Sequence, residues 1–170
     1  MVAERAAGLD AKHRSRWMAE SIKVLMATDG SEAAIDAARR SMDLLRTQAH
    51  VVVLMVIPEY EDPQEDAGGF EGPVITPEEA EKDWKRSTAV GQSALERTAA
   101  VLGPDVELRL VPDDEKTGAA VVRIADEIHA DVLVIGSAGK KWLTRLIGGS
   151  VSDYVAHHAP CPVMLIRHES

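Results

Sequence analysis

The sequence predicts an α/β fold, a doubly wound parallel sheet with helices on both faces. Three observations point to it. Five short runs rich in valine, isoleucine and leucine are apolar enough to be buried on both faces, as the strands of a parallel sheet are. Segments with helical spacing alternate with them in the order β-α-β-α-β-α-β-α-β. Strand-like runs also stop at turn residues or proline, as at Asp29-Gly30-Ser31 and Pro58, so the elements are punctuated.

Residues 1–20 precede the first strong pattern and read as a loosely held tail or a short extra helix, and residues 21–170 read as one domain. Ile22 to Thr28, IKVLMAT, is a buried strand that stops at Asp29-Gly30-Ser31. Ser31 is placed to cap the next helix, where Ile35, Ala38, Met42 and Leu45 recur at spacings of three and four. Asp36, Arg39, Arg40 and Asp43 take the opposite face. Val51 to Ile57, VVVLMVI, is the second strand, closed by Pro58.

Residues 58–75 are rich in acids, glycine and proline without a sustained period, and read as a loop. They end at Thr76-Pro77-Glu78-Glu79, a capping box with proline at the first helical position. That helix runs to Leu102 and stops at Gly103-Pro104. Val106 to Val111, VELRLV, alternates more than the other strands and reads as an edge or half-exposed strand. Thr117 to His129 is the third helix, through Val121, Ile124, Ala125 and Ile128. DVLVIG is the fourth strand, Ser150 opens a short helix through Val151, Tyr154 and Val155, and PVMLIR is the fifth strand.

Composition excludes several function classes. The 170 residues carry 28 acids against 19 lysines and arginines, a formal net charge of −9, which offers no general attraction to nucleic acid or to an anionic membrane. No run approaches the roughly 18 apolar residues of a membrane span, and the N-terminus lacks the apolar core of a signal peptide. Cys161 is the sole cysteine, so no internal disulfide forms, and the expected compartment is the cytoplasm. Between two prolines it reads as a small buried hydrophobe rather than a redox thiol. Histidine, cysteine and carboxylate show no metal-site spacing, and His157 and His158 sit at a helix end where the dipole favours them.

Ligands of doubly wound sheets sit outside the carboxyl ends of the strands, where strand order reverses. Of the usual five-stranded orders, 3-2-1-4-5 puts strand 1 beside strand 4, so Ala27-Thr28-Asp29 and Ile135-Gly136-Ser137 face one crevice. The stretch after strand 4, GSAGKKWLTRLIGGS, then reads as an anion seat. Gly136 and Gly139 let backbone come close, and Gly149-Ser150 opens a helix whose free N–H groups favour an anion. Lys140, Lys141 and Arg145 lie between them. It is not a Walker P-loop, since no lysine precedes Ser150. Asp29 is an acceptor suited to a ribose hydroxyl or an adenine amino group, and equally to a turn ahead of a glycine.

The spacing Gly136-x2-Gly139-x9-Gly149-Ser150, with IKVLMATDGSEAA near the start and the whole of the last two strands, resembles the universal stress proteins over about residues 20 to 168. The resemblance implies a flavodoxin-like fold of the adenine nucleotide alpha hydrolase-like kind that binds ATP, or AMP or ADP, with Mg2+. By the same resemblance Gly136, Gly139, Gly149 and Ser150 hold phosphates and ribose, Asp29 lies near adenine and ribose, and Val56 lines the adenine pocket. Ala27, Ser137, Lys140, Val151 and Ser152 are further contacts by adjacency. Two departures stand out: Ala138 occupies a position where many members have histidine, and Gly148 adds a glycine inside the spacer.

The last strand, Pro162 to Arg167, lies at the sheet edge in this order and is a template for a second copy. Homodimerisation through it is also what the resemblance implies. The expected function is adenine-nucleotide binding in a stress response, with bound nucleotide setting loop order and the choice of a protein partner. The alternatives are a slow ATPase or self-phosphorylating enzyme, with Ser150 or Ser152 as acceptor, and a nucleotide-free dimeric interaction module.

Overall fold

The computed structural model describes residues 21–45, 48–60, 76–113, 116–137 and 151–167. In chain order the elements are β1 (Ile22–Ala27), α1 (Glu32–Leu45), β2 (Ala49–Pro58), α2 (Pro77–Ala99), β3 (Val106–Asp113), α3 (Thr117–Glu127), β4 (Val132–Ser137), α4 (Val151–His158) and β5 (Val163–Arg167). The strands form one sheet in the order β3-β2-β1-β4-β5, all pairs parallel. Fold class and strand order are those expected from the sequence. The 1–20 tail and the 61–75 part of the acidic loop lie outside the described residues.

Alternation along each strand divides the core into two layers. Val24, Met26, Val51, Val53, Val134 and Ile166 point to the side covered by α1 and α2. Leu25, Val52, Leu54, Leu133 and Ile135 point to the side covered by α3 and α4, where Val121, Ile124 and Val155 meet them. The capping box at the start of α2 is formed: Thr76 Oγ1 accepts from the Glu79 amide and the Glu79 carboxylate accepts from the Thr76 amide. The Thr76 amide, and after it the Thr76 hydroxyl, which donates to the same carboxylate, hold the Glu79 carboxyl below its ordinary pKa.

On α1 the buried face differs from the expected stripe. Ala34, Ala37, Ala38 and Ser41 are buried, while Ile35 is half-buried and Met42 and Leu45 pack at the margin of the core. The reason is proximity. A Cβ built on Gly136 of β4 would lie 2.8 Å from the Ala33 carbonyl oxygen and 2.9 Å from Ala34 Cα, so α1 rests its backbone directly on β4. Only small side chains fit between elements that close, and larger apolar residues are displaced to the flanks.

Both sheet edges combine charge with an exposed leucine, Leu108 on β3 and Leu165 on β5, where Arg167 is also exposed. On β3, Arg109 bridges Glu107 on its own strand (2.6 Å) and Glu127 on α3 (3.1 Å), so charge lines that edge. On β5 the exposed central residue is apolar: Leu165 retains 38% of its accessible surface.

Replacing Gly136 by alanine forces α1 off β4 and is expected to lower stability by about 1–3 kcal/mol. Urea unfolding of the variant beside the native chain measures it, and an unchanged midpoint would rule out the close α1–β4 contact.

Candidate functional site

Strand order reverses between β1 and β4, whose Val24 to Ala27 and Val132 to Ile135 lie side by side in register. The chain leaves β1 for α1 on one face and reaches α4 on the other, so a crevice opens beyond these carboxyl ends. Its wall on the α3 and α4 side is apolar. Ala27, Val56, Val111 and Val151 are only partly buried there, against the core cluster of that face. Val56 and Val111 sit opposite each other, two residues beyond the level of Ala27, which pairs with Leu54.

The rim on the β1 side is the turn Thr28 to Ser31. Asp29 is exposed, and its Oδ1 accepts the Ser31 amide at 2.9 Å, so the turn role open to it in the sequence is realised. Ser31 Oγ in turn accepts the Ala34 amide at 3.2 Å and caps α1, as the sequence suggests. Gly30 takes φ +72°, and a Cβ there would lie 2.6 Å from Ala94 Cβ on α2, so only glycine fits. Thr28 and Thr98 are buried, and their hydroxyl oxygens lie 2.9 Å apart. The Thr28 oxygen also receives the Gly30 amide at 3.1 Å, and the Thr98 hydroxyl donates to the Ala94 carbonyl at 2.8 Å.

On the far rim, the carboxylate of Asp113 at the end of β3 is nearly buried and pairs with Arg123 of α3. The arginine neutralises a carboxylate that would otherwise add to the charge of Asp29 beside any anionic ligand. At the α4 end, Val151 is half-buried and Ser152 buried in the first turn. The eight-residue α4 directs its N-terminus at the crevice, and His157 and His158 each donate Nδ1–H to the carbonyl four residues back at its other end.

Of the residues expected from the sequence, Ala27, Asp29, Val56, Gly136, Val151 and Ser152 are brought to this end of the sheet. Gly136 sits at the end of β4, and the room it leaves is filled by α1. The backbone of Ser137 ends β4, while Gly139, Lys140, Gly149 and Ser150 lie outside the described residues. Sequence reasoning missed Val111, Thr98 and the Asp113–Arg123 pair, and it placed Thr28 at the crevice without its bond to Thr98. The register of β3 on β2 is what reveals Val111, and its alternating pattern is the only trace of that in the sequence.

Cys161 packs at the edge of the α3 and α4 core. Burial and the nearby Asp131 carboxylate raise its pKa, which leaves less thiolate at neutral pH than an ordinary cysteine has. Among the described residues no three histidine, cysteine or carboxylate side chains gather as a metal site, and no helix is long and apolar enough to cross a membrane.

The model of the Universal stress protein family matches residues 22–167. A putative universal stress protein of Staphylococcus aureus strain USA300 is 30% identical over 147 residues, 86% of this chain and 84% of that protein. Among solved structures, the hypothetical protein MJ0577, subject of a structure-based assignment of biochemical function, is 25% identical with a TM-score of 0.64, covering 87% of this chain and 96% of that one. A universal stress protein family protein of Arabidopsis thaliana, solved with AMP bound, has the same fold at 21% identity and a TM-score of 0.59, over 88% and 93% of the two chains.

Proposed function

The chain belongs to the universal stress protein family, and from that premise we propose that it binds an adenine nucleotide, ATP with Mg2+, in the crevice beyond β1 and β4. The observation that carries this reading is the convergence, at the point of strand reversal, of an apolar wall and an exposed acceptor. Ala27, Val56, Val111 and Val151 remain partly open to solvent on one face, and Asp29 is held at the rim by its own turn. An apolar wall with one polar group suits a purine and its ribose. The N-terminus of α4, entered through Gly149 and Ser150, supplies N–H groups for the phosphates. The AMP-bound Arabidopsis relative supports the same ligand class.

Mg2+ arrives with the phosphates in this reading, since it retains water and phosphate ligands and needs few from the protein. Lys140 adds charge on the phosphate side, and Gly136, Ser137, Gly139 and Ser152 complete the set of contacts. Bound nucleotide then biases loop order, and with it the choice of a protein partner in a stress response. It does so to the extent that one loop state binds it better than another. Cys161, the sole cysteine, suits the reducing cytoplasm.

The same chain pairs with a second copy through β5. Leu165 is exposed at the centre of the edge strand β5, and two copies set antiparallel satisfy each other's backbone groups.

Calorimetry with ATP and Mg2+ is expected to give one site per chain, and Gly149→Lys with Ser150→Ala is expected to abolish binding. Unchanged affinity in that double variant would overturn the assignment. Size-exclusion chromatography with light scattering is expected to give a dimer at micromolar concentration, which Leu165→Pro converts to monomer; a monomeric native chain would remove the β5 interface.

A further inference from the structure

We propose that Thr98, on α2 behind the crevice, is a positioning residue for Asp29 that acts through Thr28 and sets how sharply the chain prefers a ribonucleotide over one lacking ribose hydroxyls. The inference deepens the proposed function and rests on its reading of Asp29 as the acceptor for ribose. Thr98 has no accessible surface and Thr28 only 8%, so neither touches a ligand in the manner of Asp29.

The protons of this network follow by elimination. The Ala94 carbonyl only accepts, so Thr98 spends its single hydroxyl hydrogen there, at 2.8 Å. In the 2.9 Å contact between the two threonines, Thr28 is therefore the donor and Thr98 the acceptor. Committing that hydrogen fixes the direction of the Thr28 lone pairs, one of which receives the Gly30 amide at 3.1 Å. Gly30 separates Asp29 from Ser31, whose amide holds Asp29 Oδ1 at 2.9 Å. The carboxylate is thus tied to its turn, the turn to Thr28, and Thr28 to one turn of α2. That same turn supplies Ala94, which sits against Gly30 so closely that no Cβ fits.

Buried hydroxyls are costly unless bonded, and valine has the shape to fill the Thr98 site without them. A packing role alone would make the two hydroxyls dispensable. A positioning role makes them matter at Asp29, where a hydrogen bond between a charged carboxylate and a ribose hydroxyl is formed only if the acceptor stays in place.

The test uses the full chain and calorimetric titration with ATP and with 2′,3′-dideoxy-ATP, read as a ratio of affinities, together with thermal melting. The native chain is expected to prefer ATP about tenfold, the scale of one charge-assisted hydrogen bond. Asp29→Ala and Thr98→Val are expected to bring the ratio to about one, and Thr98→Ser, which keeps the hydroxyl, to hold the native ratio. The double variant Thr28→Val with Thr98→Val leaves no buried hydroxyl unpaired but strips the buried Gly30 amide of its acceptor, so it is expected to melt below the native temperature and, titrated where melting shows it folded, to lose the preference. A native ratio in Thr98→Val or in the double variant overturns the proposal. A native chain that binds both nucleotides equally overturns the reading of Asp29 and the proposal with it, while leaving nucleotide binding intact. A native chain that binds neither overturns the proposed function itself.

Discussion

The pairing of β1 with β4 is the constraint from which the rest of the structure follows. These strands are far apart in sequence, lie in register from Val24 and Val132 onward, and form the middle of the sheet with both faces buried. Once they pair, α1 and α2 must cover one face and α3 and α4 the other, and the chain runs away from the pair in both directions. The crevice is a consequence of that divergence. Covering helices cannot close over a point from which they depart on opposite sides.

Close packing and site geometry are linked at two glycines. Gly136 lets α1 lie on β4, which fixes where α1 begins and hence where Ser31 caps it. Gly30 lets the β1–α1 turn lie on α2, which fixes where Asp29 stands. Neither helix touches the crevice with its own side chains at these positions. Each sets the rim through backbone contact, in which small displacements are not absorbed as they are between flexible side chains. The far rim is set by charge instead, with Arg123 of α3 held on the buried carboxylate of Asp113.

Much of the fold was legible in the chain because local signals and tertiary structure agree. The capping box at Thr76, the apolar runs and the turn at Asp29-Gly30-Ser31 each act within a few residues, and the element order they imply restricts a parallel sheet to few arrangements. What depended on distant neighbours was not legible. The buried face of α1 is set by Gly136, a hundred residues away, so the larger apolar residues Ile35 and Met42 misled the periodicity toward their own side. Thr98 reads locally as an ordinary helical threonine, and only its meeting with Thr28 gives it a role. Val111 belongs to the crevice wall by its register with Val56, of which the alternation within β3 is only a trace. The glycine spacing after β4 was legible as a motif, though Gly139, Gly149 and Ser150 fall outside the described residues.

The proposed seat of an adenine nucleotide lies beyond β1 and β4 on the α3 and α4 side. Mapping amide chemical shifts of the labelled chain during titration with ATP and Mg2+ tests it residue by residue. The largest changes are expected at Ala27 to Ser31, Val56, Val111, Val151 and Ser152, with the charged edge of β3 around Glu107 and Arg109 unmoved. Saturating changes centred on that edge or on the exposed face of α2, or none at all, would contradict it.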